Sequence, residues 1–542
     1  MNQTINGELF RSLIDYAIRN LALHCEEVND LNVFPVPDGD TGTNMLTTSK
    51  IGYSAIEDFD GDLSATAQKF SSAVVYGARG NSGVILSQFL KGFSEVFIAL
   101  SGDADCSSFI TALNNGVKFA YSAVSHPTEG TMLTVLREAT EEVSSSNYND
   151  LTELLEAFLA RAQISLENTP NLLPVLKSAD VIDSGGVGVI YFFEGMKKHL
   201  CGEELIAEKA NEKQEVIDYS DFNRSSTFEF GYCTEALIQL CNGKEEPDYD
   251  EFKSQLNAMG DSVVTSFEND KLKFHVHTQT PEKVLGYAHR FGEFLTLKIE
   301  NMSVQHSGLN KAVIVSPEPK DGAFALVAVA PNEQMSELFI TMGVDVVITA
   351  YDGYSPSTQD FIKAFDATEN QNIIVLPNDK NLMLVAEQAK ALTDEMNIFI
   401  VSSKSIADCY ASLAIVDFDS SDPAAVSSDI EHTVRNIYDI VITRSAKDTV
   451  FDSFKIGKND VIAMSSKSIL AVGKSAYEVA KKVIDTVLNE SEKDTVTFFA
   501  GASFSEEDFG KLSDHITQNH IFTETDLVET HIRSFDLIIS FE

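Results

Sequence analysis

From residue 8 to about residue 200 the apolar residues recur every third or fourth position, as in Leu9, Phe10, Leu13, Ile14, Ala17, Ile18 and Leu21, and again in Ile85, Phe89, Phe93 and Val96. That spacing gathers them on one face of a helix, so the stretch predicts an all-α bundle. Beyond residue 227 the rhythm changes. FEFGYCTEALIQL, the hairpin DSVVTSFENDKLKFHVHT and FLTLKIENM read as strands, interleaved with helix-like FKSQLNAMG and PEKVLGYAHRFG. The order βαββαβ predicts a small ferredoxin-like α+β domain over residues 227–302. From residue 312 onward FALVAVA, VDVVITA, NIIVLP and NIFIVS alternate with helices, the pattern of a parallel α/β layer, and an α+β portion runs from about residue 436 to the end. The polar stretch 203–226 and the segment SVQHSGLNK mark the breaks, leaving domains at 1–202, 227–302 and 312–542.

Length and charge narrow the function. At 542 residues the chain exceeds one hydrophobic core, since a domain takes about 150 residues. Forty Lys and Arg against 82 Asp and Glu leave a net charge of −42, which repels polyanions and argues against nucleic acid or anionic lipid as a main ligand. The amino terminus has no basic start and apolar run of a signal peptide, and no stretch of about 18 apolar residues follows, so a cytoplasmic protein without stable membrane insertion is expected. The six cysteines form no CxxC pair and read as free thiols.

Four segments share one plan, a glycine-containing loop followed by a helix. In NVFPVPDGDTGTNM (32–45) two prolines stiffen the approach, and Asp38 and Asp40 stand beside the start of a new helix with Thr43 and Asn44. Carboxylates there can hold Mg²⁺ while helix N–H groups face phosphate oxygens; an Asx-Gly turn that merely caps the helix has the same sequence. In YGARGNSGVILSQFLKGF, Gly80, Asn81, Ser82 and Gly83 can bring backbone N–H groups to phosphate, or simply open a helix. HPTEGTMLTVLREA (126–139) and VIDSGGVGVIYFFEG (181–195) repeat the plan. Four such joints in one helical domain exceed what capping alone requires.

The set PDGDTGTNM, GARGNSG, EGTMLTV and VIDSGGVG resembles the nucleotide-binding domain of the dihydroxyacetone kinase L-subunit family, and its first two members look most like the ATP-binding component of fatty acid kinase. The resemblance implies an N-terminal barrel of antiparallel helices with ATP and two Mg²⁺ ions at one end. It implies Asp38 and Asp40 on magnesium, Thr43 and Asn44 near metal or phosphate, Ser82 and Gly83 on phosphate, and Thr131, Asp183 and Gly185 around the nucleotide. Relatives carry a further Asp upstream where this chain offers Asn32, a candidate third ligand. It also implies a DegV-like C-terminal region that includes LPNDKN (376–381), a homodimer, and a substrate acyl chain delivered by a DegV-type fatty-acid-binding protein. The product is then an acyl phosphate feeding phospholipid synthesis. The chain departs from the family at AYDGYSPST (350–358) and SSKS (402–405), turns that read as contact loops.

In the middle domain His275 and His277 alternate on one strand and Cys233 lies on another. They suit Zn²⁺ with an open position, a proton- or phosphoryl-transfer role, or two hydrogen-bonded histidines and an inert thiol; family resemblance implies that the three are required. Two rival functions fit the same nucleotide domain: a glycerone (dihydroxyacetone) kinase and a nucleotide-sensing scaffold without turnover.

Overall fold

The computed structural model describes residues 4–32, 39–179, 181–205, 232–241, 248–268, 270–301, 313–315, 322–350, 355–445, 449–451, 454–465, 468–491 and 493–542. The chain divides into two compact units, one formed by Met1–Glu208 with Val313–Glu542, the other by Lys209–Ala312.

The first unit begins with helices α1 (Gly7–Leu23), α2 (Cys25–Leu31), α3 (Thr41–Ser54), α4 (Leu63–Tyr76), α5 (Gly80–Ile98), α6 (Cys106–Ser122), α7 (Met132–Ser144), α8 (Leu151–Leu172), α9 (Pro174–Ala179) and α10 (Ser184–Leu200). The apolar stripe of α1 is buried from Phe10 to Leu21. Short polar residues start the helices: Asn6, Asp62, Asp105 and Asp150 each accept a hydrogen bond from a first-turn N–H, and such caps contribute roughly 1 kcal/mol apiece. Packing runs from α1 to α4, α5, α6, α7, α8 and α10 and back to α1, a closed ring. Its centre is aromatic, with Phe93 edge-on to Phe97 and Phe109 at ring separations of 5.0 and 5.1 Å.

The second unit runs β1 (Tyr232–Leu240), α11 (Tyr249–Met259), β2 (Asp261–Glu268), β3 (Lys271–Thr278), α12 (Pro281–Ala288) and β4 (Gly292–Asn301). Its sheet has the order β2-β3-β1-β4 with antiparallel neighbours. In register, Cys233 stands opposite His277, and His275 opposite Glu235.

The chain then returns to the first unit through β5 (Val313–Val315), β6 (Ala325–Ala330), α13 (Glu333–Thr341), β7 (Val346–Thr349), α14 (Thr358–Ala367), β8 (Asn372–Leu376), α15 (Met383–Ala391), β9 (Asn397–Ile400), α16 (Ile406–Ala414) and α17 (Pro423–Asn436). The sheet order is β5-β7-β6-β8-β9, parallel except for β5. Every residue of β6 is buried, because helices cover both faces of a parallel sheet. Leu326 and Ala328 join one core while Val327 and Val329 join another. That second core also contains Ala78 and Val84 of the helical portion.

A mostly antiparallel sheet closes the chain. It contains β10 (Tyr438–Arg444), β13 (Val461–Ser465), β14 (Ser468–Gly473), β15 (Thr495–Ala500), β16 (Glu524–Glu529) and β17 (Leu537–Phe541), with the small ladder β11 (Thr449–Phe451) and β12 (Phe454–Ile456) beside it. Helices α18 (Ala476–Glu490) and α19 (Glu506–Asn519) belong to this portion. Among the described residues, no helix is long and apolar enough to cross a membrane.

The described residues of the two divergent turns make contacts within the chain. Residues 351–354 lie outside the described set, and the rest of that turn docks on the helical portion. Thr358 N–H donates to Ala78 C=O at 3.1 Å, and the Arg79 guanidinium donates to Ser355 C=O. Gln388 of α15 adds a bond to Val75 C=O at 2.8 Å. In the SSKS turn Lys404 is exposed, whereas Ser403 is fully buried and its hydroxyl accepts from Asn378 N–H at 3.1 Å. Ser405 caps α16 and donates to Asp439 at 2.6 Å, while Lys404 N–H donates to Asp408 at 2.6 Å.

Burial, reinforced by the negative charge of Asp439, pushes the Asp408 carboxyl up to about 7 from an ordinary 3.8. Because the folded value is raised, the protonated acid favours folding. Its contribution is complete below the ordinary value and is lost as pH climbs through 7. Asp408→Asn should therefore flatten the stability profile: the wild-type melting temperature falls relative to the variant as pH rises from about 4 to about 7, and the two run parallel above that. Parallel melting profiles for the two chains would show that Asp408 ionises in the fold at no cost.

Candidate functional site

Among the described residues, four helix amino termini meet at one cleft of about 250 Å³. Asp40, Thr41 and Asn44 come from the start of α3, Asn81 and Ser82 from α5, Thr131 and Met132 from α7, and Asp183, Ser184 and Gly185 from α10. Each helix start carries roughly half a positive charge and N–H groups without intrahelical partners, so four together make a cradle for an anion. At α5 the N-cap residue Arg79 supplies no side-chain cap, and the first-turn N–H groups are not taken up by one.

Asp40 is not used for capping. Asp40 occupies the N-cap position of α3, yet its carboxylate makes no cap bond. Asn29 of α2 does that job, accepting from Gly42 N–H at 2.7 Å and Thr43 N–H at 3.2 Å. Asp40 is instead held from the side: Asn44 Nδ2 donates to Oδ2 at 2.8 Å and Asn32 Nδ2 to Oδ1 at 3.4 Å. This leaves a carboxylate oriented by two amides in a cleft built from helix starts.

Asp183 has a structural share as well. Its Oδ2 accepts from Gly186 N–H at 2.7 Å, capping α10, and the Met132 backbone also donates to it, which ties α10 to α7. Burial still pushes its carboxyl up to about 6, against those two hydrogen bonds. Ser184 Oγ donates to Thr41 Oγ1 at 3.3 Å, linking α10 to α3.

Three family models tile the chain: a DAK2 domain over residues 35–198, a FakA-like fatty acid kinase middle domain over 229–309, and a FakA-like fatty acid kinase C-terminal domain over 325–542. Protein YloV of Bacillus subtilis is 31% identical over 554 aligned residues, covering 100% of each chain. An uncharacterized protein of Staphylococcus saprophyticus is 33% identical over 518, covering 92% of this chain and 93% of its own. The chain belongs to the FakA-like fatty acid kinase family. Among solved structures, the dihydroxyacetone kinase of C. freundii in complex with AMP-PNP and Mg²⁺ is similar over 37% of this chain and 35% of that one, at 18% identity and a TM-score of 0.29. Membership of this family makes the chain a kinase in broad class, and all four helix starts of the cleft fall within its DAK2 domain.

Of the residues singled out in the sequence, Asn32, Asp40, Asn44, Asn81, Ser82, Thr131, Asp183 and Gly185 line the cleft. Thr43 does not; its hydroxyl accepts from Asn29 Nδ2 at 3.0 Å. Gly80 and Gly83 lie behind the lining, where a Cβ would come within 2.4 Å of Asn44 Nδ2 and 2.5 Å of Thr48 Oγ1 respectively. Asp38 lies outside the described residues, as do the side chains of Cys233, His275 and His277. Among the described residues, no group of three or more His, Cys, Asp and Glu could hold a metal ion, so nothing described supports zinc in the middle unit.

Sequence reading missed Thr41, Ile85, Met132 and Ser184, all within a turn of residues it flagged, and it missed Lys380 and Asn381. These last two follow β8, at the carboxyl end of a parallel strand, where ligand crevices of α/β sheets form; that position was the available signal.

A magnesium-bound triphosphate fits the donor set. The described lining offers carboxylate, amide and hydroxyl oxygens and no thiol or imidazole, which suits a hard cation held by one or two carboxylates together with substrate phosphates. Asn81 Oδ1 is buried with no hydrogen-bond partner among the described residues, an acceptor that a ligand donor can satisfy.

Proposed function

We propose that the cleft binds ATP as its magnesium complex and that the chain transfers the γ-phosphate to a fatty acid carboxylate presented by a DegV-type fatty-acid-binding protein. The observation that carries this reading is the meeting of four helix starts beside Asp40, a carboxylate that capping does not employ. Asp38 and Asp40, with Asn32 as a neutral third oxygen, would hold magnesium, which supplies charge neutralisation at the phosphates. The helix starts at Ser82, Thr131 and Gly185 would fix the phosphate chain by N–H and hydroxyl donors. A carboxylate oxygen forms the new O–P bond as the bond between the β,γ-bridging oxygen and the γ-phosphorus breaks, and ADP leaves. The incoming carboxylate is already a nucleophile, so the protein's task is positioning and charge neutralisation rather than proton removal. Family membership supports the fatty acid as acceptor and a separate acyl carrier. A homodimer belongs to the same reading.

Purified chain, Mg·ATP and an acyl-loaded DegV-type carrier should release ADP and form acyl phosphate in equal amounts, the latter trapped by hydroxylamine as a hydroxamate. ADP release with dihydroxyacetone and none with the carrier would transfer the assignment to glycerone kinase chemistry. Tight Mg·ATP binding without turnover on either acceptor would leave a nucleotide-sensing scaffold.

A further inference from the structure

The helical domain's share of the described cleft lining includes two acidic residues, Asp40 and Asp183, and no Lys or Arg. Arg79, the nearest candidate at the start of α5, directs its guanidinium to Ser355 C=O instead. A triphosphate brings several negative charges into this setting, within a chain of net charge −42. Among the described lining residues the one basic side chain is Lys380, and it comes from the C-terminal α/β layer.

We propose that Lys380 is a phosphate-binding residue of the nucleotide site, delivered to the helical domain by the α/β layer of the same chain. This rests on the nucleotide reading above and goes beyond it, because it makes the C-terminal layer part of the kinase site.

The turn that carries Lys380 is fixed on both sides. Toward the sheet, Asn378 adopts a left-handed φ of 57° and its Nδ2 donates to Val329 C=O at 2.7 Å. Within the turn, Asn381 N–H donates to Asp379 Oδ1 at 2.7 Å and Leu382 N–H to Asp379 C=O at 3.0 Å. Toward the helical domain, Asn81 Nδ2 donates to Asn381 Oδ1 at 3.3 Å, joining the turn to the first turn of α5. Behind it, Gln88 Nε2 donates to Gln388 Oε1 at 2.7 Å, so α5 and α15 are held together beyond the cleft. A lysine on a turn pinned this way is a positioned point charge, the form in which lysine serves phosphates.

The test uses the full chain with Lys380→Met, which keeps the stem and removes the charge, Lys380→Arg, which keeps the charge, and Lys380→Glu, which reverses it. Calorimetry with Mg·ATP, and competition by adenosine, are measured at low and high salt. Lys380→Met should weaken Mg·ATP about tenfold or more, the size of one charge-assisted hydrogen bond, with adenosine affinity unchanged. Lys380→Arg should stay within a few-fold of wild type, Lys380→Glu should lose more than Lys380→Met, and the salt dependence of Mg·ATP binding should flatten in Lys380→Met. Equal Mg·ATP affinity in wild type and Lys380→Met at low salt overturns the proposal while leaving the nucleotide site intact. A loss shared equally by adenosine also overturns it, since that would report a disturbed cleft rather than a missing phosphate contact. A wild-type chain that takes up no Mg·ATP removes the nucleotide reading itself.

Discussion

An Asp40→Asn chain is expected to lose magnesium-dependent phosphoryl transfer by roughly two to three orders of magnitude, the size of effect seen when a fixed electrostatic contact to the reacting group is deleted, while its melting temperature barely moves. The separation of the two effects is the point. If Asp40 were the cap of α3, the substitution would cost little, because Asn caps as well as Asp, and activity would survive. The cap is already supplied by Asn29, which accepts from both Gly42 and Thr43. Asp40 has no such duty, and its carboxylate is aligned by Asn44 and Asn32. The substitution keeps the shape and deletes one negative charge where we propose that a divalent cation is held. Activity within tenfold of wild type at saturating Mg²⁺ would mean that the cation, if there is one, is held by other groups.

The capping question also marks where the sequence stopped being informative. The helices were legible because burial is periodic: the stripe from Phe10 to Leu21 on α1 can be read without coordinates, and the uninterrupted run of β6 already signals a strand covered on both faces. The four glycine-bearing loops were legible for the same local reason, since each ends in a helix start. Their convergence was not, because nothing local relates Asp40 to Thr131 or Asp183; it follows from the ring of helices closing α10 onto α1. A DGD turn is ambiguous in one dimension, as a ligand and a cap use the same residue type. What separates them here is Asn29, on a different helix. The same residue removes Thr43 from the lining by engaging its hydroxyl. Lys380 was harder still: it lies in another portion of the chain, and only the docking of α14 and α15 against Ala78 and Val75 brings it to the cleft. One role within the SSKS turn was not legible. Nothing local distinguishes Ser403, which is buried and serves Asn378, from its half-buried neighbours Ser402 and Ser405.

Gly80→Ala should damage stability and nucleotide affinity together, in contrast to Asp40→Asn. Gly80 has a φ of 56°, in the left-handed region, where a Cβ costs about 1–2 kcal/mol. An added Cβ would also sit 2.4 Å from Asn44 Nδ2 and 3.1 Å from its Cγ. Asn44 is a side chain and can swing aside, so the fold survives, but the same Nδ2 is the donor that fixes Asp40 at 2.8 Å. Relieving the clash therefore releases the carboxylate from the position in which we propose that it meets a cation. Stability should fall by an amount on the order of 1–2 kcal/mol, and Mg·ATP affinity by about tenfold, the value of one charge-assisted hydrogen bond. A second substitution, Gly80→Asn, separates the two causes: asparagine tolerates left-handed backbone and should recover part of the stability, yet it keeps the Cβ and should recover none of the affinity. Wild-type nucleotide affinity in both variants would disconnect Asn44 from the site, and with it the inference that Asp40 acts from the position in which Asn44 holds it.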